Sequence, residues 1–168
     1  AAPFWGARVA EVPYAEIWEG MDLRTLYRLS WGGKNARGED FERLVAEDFE
    51  PRRRRLQEEG SRQGWLAARA VYGYFPCAAD GEELVVYDPD GGERFRLGFP
   101  RQETHDRLCI SDYFRTVRDG ERDVVAFQVV TMGREAQDHV DRLQAAEEYA
   151  DAYFAHGMAI AATEGLAE

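Results

Sequence analysis

The chain has 168 residues, with 32 Asp and Glu against 21 Lys and Arg, for a formal charge of −11 and a pI near 4.8. Apolar residues make up 45% and aromatics 12%, enough to bury a core, which excludes intrinsic disorder and predicts a single domain over residues 1–168. The acidity repels phosphates and so excludes a chain-wide grip on nucleic acid or anionic lipid, and no apolar run of ~18 residues offers a membrane span.

The opening AAPFWGARVAEV has neither the basic start nor the apolar stretch of a signal peptide. Residues 1–13 read as an extended lead-in, with Phe4, Trp5 and Val9 available to pack. In YAEIWEGMDLRTLYRLSWGG, the residues Ile17, Trp18, Met21, Leu23, Leu26, Tyr27 and Leu29 fall at three- and four-residue spacing. That spacing predicts a helix with one apolar face, stopped at Gly32-Gly33. Asp22 stands where a helix can begin, so its carboxylate can cap free backbone N–H groups.

A second helix is predicted over residues 39–59, kinked or restarted at Pro51, with Phe41, Leu44, Val45, Phe49 and Leu56 on its buried side. The run Arg52–Arg55 is surrounded by Glu47, Asp48, Glu50, Glu58 and Glu59, which predicts a salt-bridged face in preference to an anion patch. Lys34 is the only lysine and the other 20 bases are arginine, a bias suited to forked pairs with carboxylates.

The period then changes. AVYGYFPCAA, ELVVYDPDGG, ERFRLGFPRQ and DVVAFQVVTMG are rich in Val, Tyr and Phe and are bounded by turn signals. ELVVYDPDGGERFRLGF is the clearest hairpin, and the set predicts an antiparallel sheet of about four strands. Residues 133–168 return to helix and carry eight acids against two arginines. Gly157, Ala159, Ala161, Ala162 and Gly165 are small enough to let another backbone come close. The predicted class is therefore α+β, with helices flanking a central antiparallel β-sheet. The chain stops at LAE with no helix-ending signal, which predicts that the natural protein continues.

Local chemistry is sparse. His105, His139 and His156 form no metal-binding pair. His139 is expected on an exposed helix face and His156 in the interior. Cys77 and Cys109 lack paired spacing and are expected to be buried structural thiols of a reduced, cytoplasmic protein. Ser111-Asp112 lies outside any GxSxG elbow, and neither GxGxxG nor GxxxxGK[ST] occurs.

Longer stretches carry more. PFWGARV, MDLRTLYRLSW, RAVYGYFPCAADGEELVVY, LGFPRQ with RLCISDYF, DVVAFQVVTMG and YFAHGMAIAATEGLAE, in that order, resemble the reactivation domain of cobalamin-dependent methionine synthase. The pair LGFPRQ and RLCISDYF, similar to the family's "F-x-R-Q … CLADF", is the most specific. The resemblance implies a methionine synthase activation domain-like fold and a module of a methyltransferase that binds S-adenosylmethionine. Its implied role is reductive methylation of cob(II)alamin, which restores an enzyme making methionine from homocysteine and methyltetrahydrofolate. Cobalamin would be held by a neighbouring domain of the same enzyme, and a flavodoxin-type donor would supply the electron. Positioning the sulfonium methyl would be the module's contribution.

By the same resemblance, Asp22 and Glu168 match ligand-binding carboxylates of the family, a sensible chemistry for a ligand bearing a sulfonium and an ammonium. Each also has a plainer role open to it, Asp22 as a helix cap and Glu168 as a surface acid. The family's principal ligand loop, "R-x-[AS]-x-G-Y-P-A-C-P", does not occur in the 168 residues. That departure implies a C-terminally truncated reactivation domain, not competent in catalysis alone, that binds S-adenosylmethionine weakly or not at all. Two alternatives stand beside this reading: a stand-alone reactivation-like subunit docking on a separate corrinoid protein, and an acidic interaction domain without a ligand.

Overall fold

The computed structural model describes residues 2–104 and 106–168, so His105 lies outside the described residues. Six α-helices and five strands are present among them: β1 (Gly6–Ala10), α1 (Tyr14–Glu19), α2 (Leu23–Thr25), α3 (Glu39–Leu44), α4 (Glu50–Gln63), β2 (Arg69–Asp80), β3 (Glu83–Tyr87), β4 (Glu93–Gly98), β5 (Asp123–Thr131), α5 (Arg134–Ala145) and α6 (Tyr149–Ala167). The strands form one five-stranded sheet in the order β1-β2-β3-β4, with β5 also pairing β2. The α+β reading holds. The lead-in contributes a strand of its own, in which Val9 is exposed.

By their contacts the residues divide into two compact units, Ala1–Val9 with Val71–Gln128, and Ala10–Ala70 with Val129–Glu168. The first unit holds the hairpins. β2 pairs antiparallel with β3 from Cys77↔Val86 to Asp80↔Glu83, and β3 with β4 from Glu83↔Gly98 to Tyr87↔Glu93. In the DPDGG turn, Asp88 N–H donates to Gly92 O (2.8 Å) and Gly91 adopts φ +100°, a conformation glycine takes without a Cβ penalty. Cys77, Ala78, Ala79, Leu84, Val85 and Val86 are buried, and the Cys77 thiol is pushed up to about 11 by burial.

This unit also explains the most specific pair of motifs. Arg101 of LGFPRQ forks onto Asp112 of RLCISDYF, with Nη1–Oδ2 2.6 Å and Nη2–Oδ1 2.8 Å. Asp112 in turn accepts from Cys109 N–H at 3.0 Å, and its carboxyl is held down at about 2, chiefly by Arg101. The Cys109 thiol meets Phe99 O at 3.1 Å, and the buried Ser111 hydroxyl donates to Gly81 O at 2.9 Å. The two motifs are halves of one braced loop, and both cysteines are buried as expected.

The second unit is helical, around a core that includes Ile17, Leu26, Phe49, Leu56, Leu66 and Met158. The expected single helix over 14–33 is instead two α-helical turns interrupted at Gly20–Asp22, followed by a π-helical segment at Leu26–Ser30. The expected helix over 39–59 runs without a break as α3, a π-helical segment at Val45–Phe49, and α4; Phe49 and Glu50 keep helical backbone angles, so the chain does not restart at Pro51. The π-helical turn, in which Glu50 N–H donates to Val45 O, ends directly before Pro51, the residue that has no N–H to give the helix. Arg52–Arg55 are ion-paired: Arg52 with Asp48 and Asp151, Arg53 and Arg54 with Glu50, and Arg55 with Asp151. The salt-bridged reading of that run is borne out.

Candidate functional site

Both sequence-derived site residues, Asp22 and Glu168, belong to the helical unit. Asp22 is the N-cap of α2: Thr25 N–H donates to Oδ1 at 3.0 Å, and the Thr25 hydroxyl donates to Oδ2 at 2.7 Å. The Thr25 hydroxyl, then its N–H, holds the carboxyl below its ordinary value. The side chain stays exposed. A carboxylate offers about four acceptor positions and the cap uses one on each oxygen. The cap therefore orients the anion and leaves capacity for a cationic or hydroxylic ligand. Capping and ligand binding are compatible here.

Glu168 is the C-cap residue of α6 and is exposed. The backbone that leads to Asp22 lies against the same end of α6. A Cβ on Gly165 would stand 2.5 Å from Ile17 O and 3.1 Å from Met21 N, and one on Gly20 would stand 2.7 Å from Gly165 O. Asp22 follows Met21 directly, and Glu168 follows Gly165 by about one helical turn. Farther back on α6, a Cβ on Gly157 would meet Trp31 Nε1 at 2.8 Å, and that indole N–H donates to Phe154 O at 3.2 Å. Of the small residues predicted to admit another backbone, Gly165 does so, whereas Gly157 admits the Trp31 side chain.

Behind Asp22 lies a polar network that the sequence reading missed. The Tyr27 hydroxyl donates to Glu50 Oε1 (2.5 Å) and accepts from Arg53 Nε (3.0 Å). Arg53 also pairs with Glu50 Oε2 (2.7 Å) and donates to Gln57 Oε1 (2.7 Å), while Gln57 Nε2 reaches Met21 Sδ at 3.9 Å. Burial, then the Glu50 hydrogen bond, pushes the Tyr27 phenol up to about 12, and Arg53 holds Glu50 down at about 2. The spacing of Glu50, Arg53 and Gln57 on one helix was a visible signal. Nothing in the sequence announced Tyr27 as their partner.

His139 and His156 do not join Asp22 and Glu168. His139 is half-buried and stacks on Trp65 with centroids 4.4 Å apart, so the expected exposed face is corrected. Burial, then Arg142, lowers its pKa. His156 is exposed, against the interior position expected for it. It lines a groove of about 180 Å³ with Thr131, Gly133, Gln137, Ile160 and Thr163. The α6 segment turns its alanines and glycines inward at this point and its imidazole outward. Among the described residues no group of three or more His, Cys, Asp and Glu is arranged to hold a metal ion, and no helix is long and apolar enough to cross a membrane.

Residues 34–168 match a family described as "Vitamin B12 dependent methionine synthase, activation domain". The chain is 38% identical over 180 residues to the methionine synthase of Mycobacterium tuberculosis and 38% over 181 residues to that of Mycobacterium leprae. Each alignment covers 100% of this chain and 15% of the relative's length. A solved structure described as the MetH reactivation domain bound to AdoHcy superposes with a TM-score of 0.81 at 18% identity, covering 99% of this chain and 54% of that one. At that identity the superposition speaks for the fold alone.

Proposed function

The chain belongs to the vitamin B12 dependent methionine synthase activation domain family, and on that premise we propose that residues 1–168 form one domain's share of a methionine synthase that binds S-adenosylmethionine and serves reductive reactivation of the cobalamin. The observation that carries the reading is Asp22: an exposed carboxylate, kept ionised and aimed by Thr25, with acceptor positions to spare. Asp22 and Glu168 would accept from the ligand's ammonium or ribose hydroxyls, and their charge would favour the sulfonium.

When bound, S-adenosylmethionine supplies an electrophilic methyl group, and cobalamin held by the neighbouring domain is its acceptor. This chain's residues hold and orient the donor; no proton transfer is asked of them. A flavodoxin-type protein would supply the electron, in the cytoplasm. The family match and the 38% identity to two mycobacterial methionine synthases support the assignment to this enzyme, and the pairing of Arg101 with Asp112 gives the most specific motif a structural role.

The "R-x-[AS]-x-G-Y-P-A-C-P" pattern has no counterpart in the 168 residues, so we expect these residues alone to bind S-adenosylmethionine weakly or not at all. Calorimetric titration of the 168 residues is expected to give no micromolar binding. A polypeptide extended through that loop is expected to melt several degrees higher in excess ligand, by mass action. Micromolar binding by the 168 residues would refute the first expectation. A melting temperature of the extended protein that ignores the ligand would remove the site.

A further inference from the structure

Two carboxylates separated by most of the chain can serve one ligand only if something fixes the distance between their backbones. In this unit that element is a contact without side chains. Ile17 O lies 2.5 Å and Met21 N 3.1 Å from where a Cβ on Gly165 would be, and Gly165 O lies 2.7 Å from where a Cβ on Gly20 would be. Real Cβ atoms essentially never come within 3.0 Å, as those at Ile17 O and Gly165 O would. Alanine at either position would push the Ile17–Met21 segment off α6, because backbone on both sides cannot rotate away as a side chain can.

We infer that Gly20 and Gly165 are positioning residues for the methyl-donor site, their mutual contact setting where Asp22 stands relative to Glu168. The inference rests on the reading of these two carboxylates as ligands. Asp22 directly follows Met21, and Glu168 is about one turn past Gly165. Any outward shift at the contact is therefore delivered to Asp22 with almost no chain between to absorb it. The Thr25 cap fixes the carboxylate's orientation within its own turn, and the glycine pair fixes where that turn sits on α6. Misplacement of a binding group by about 1 Å is enough to cost a site much of its affinity or rate.

Gly157 supplies the control. It lies on the same helix, and a Cβ there would meet Trp31 Nε1 at 2.8 Å, two turns away from the Gly165 contact. Gly157→Ala should damage packing as Gly165→Ala does, without moving Asp22.

The test uses the methionine synthase polypeptide that carries this segment, with S-adenosylmethionine affinity read by calorimetry and melting temperature read alongside. Gly165→Ala is expected to weaken binding about tenfold. Gly157→Ala is expected to lower the melting temperature comparably while leaving affinity within about twofold. In an Asp22→Asn background, Gly165→Ala should cost no further affinity, since the group it displaces is already spoiled. Should Gly165→Ala fail to fold, Gly20→Ala presses on the same contact from the other side and is expected to repeat the pattern.

Equal loss of affinity in Gly165→Ala and Gly157→Ala, or an undiminished Gly165→Ala effect in the Asp22→Asn background, overturns the positioning role. If Asp22→Asn and Glu168→Gln weaken binding and Gly165→Ala does not, only this inference falls. If Asp22→Asn and Glu168→Gln bind as the wild type does, the ligand reading falls and this one with it.

Discussion

At the scale of residues, Asp22 separates two roles that are usually confounded. Asparagine caps a helix about as well as aspartate, because the cap needs a side-chain oxygen and not a charge. Asp22→Asn should therefore leave thermal stability near that of the wild type while reducing S-adenosylmethionine affinity in the extended protein about tenfold, the loss of one charge-assisted contact. Asp22→Ala should lower both, and calorimetry beside a thermal scan distinguishes the cases. Tyr27 makes the complementary prediction. Its hydroxyl is buried between Glu50 and Arg53, so Tyr27→Phe should destabilise the chain by about 1 kcal/mol in urea unfolding. With the phenol raised to about 12 from an ordinary 10.0, its neutral form is favoured by folding. That contribution is intact below pH 10 and is lost as pH climbs toward 12. Tyr27→Phe should accordingly blunt the alkaline fall in stability.

At the scale of elements, α6 is the organising piece of the helical unit because it lacks bulk where other segments must cross it. Gly157, Ala161, Ala162 and Gly165 are buried on it, while Tyr149, Tyr153 and Ile160 are exposed. A helix built this way lets backbone close at Gly165 and the Trp31 ring close at Gly157, and its apolar residues need not gather on one stripe. Gly157→Ala should cost about 1–3 kcal/mol, from overpacking against the buried Trp31. A shift of tryptophan emission should accompany the loss. The hairpin offers a second check. Gly91 sits at φ +100°, a conformation that alanine reaches only with strain, so Gly91→Ala should cost on the order of 1–3 kcal/mol in the same assay. The break in the first helix was partly legible, since Asp22 announced a new start. Pro51 announced a disturbance in the second, which the helix carries as the π-helical segment Val45–Phe49 just before it, whereas the segment at Leu26–Ser30 holds no residue that demands it.

For the molecule as a whole, the charge of −11 is managed by arginine. Within the two units, ion pairs include Arg96 with Asp80, Glu83 and Glu93, Arg101 with Asp112, Arg69 with Glu135, and Arg53 with Glu50. These partners hold Glu50 and Asp112 at about 2 and lower Glu93 and Glu135 as well. A carboxyl lowered on folding contributes stability above its ordinary value, 4.5 for Glu50, and loses it as pH falls toward 2. The urea midpoint should therefore hold steady down to about pH 4.5 and then drop, and Glu50→Gln should make the drop shallower. A midpoint that rises on acidification would contradict the role given to these pairs.

The sequence by itself determined the class of fold, the principal hairpin, the buried thiols, the salt-bridged arginine run and the family. Each of these is written in local pattern or in the order of motifs. It marked Asp22 and Glu168 through resemblance, and it marked Gly157 and Gly165 as points of close approach without saying what would approach. Only the tertiary structure decided that Gly20 meets Gly165, that Arg101 grips Asp112, that Tyr27 completes the Glu50–Arg53 pair, and that His139 stacks on Trp65. The reason is one of reach: hydrogen-bond and packing periods extend over a few residues, whereas a glycine records only that something comes near. Which backbone arrives there is settled by the packing of segments far apart in the chain.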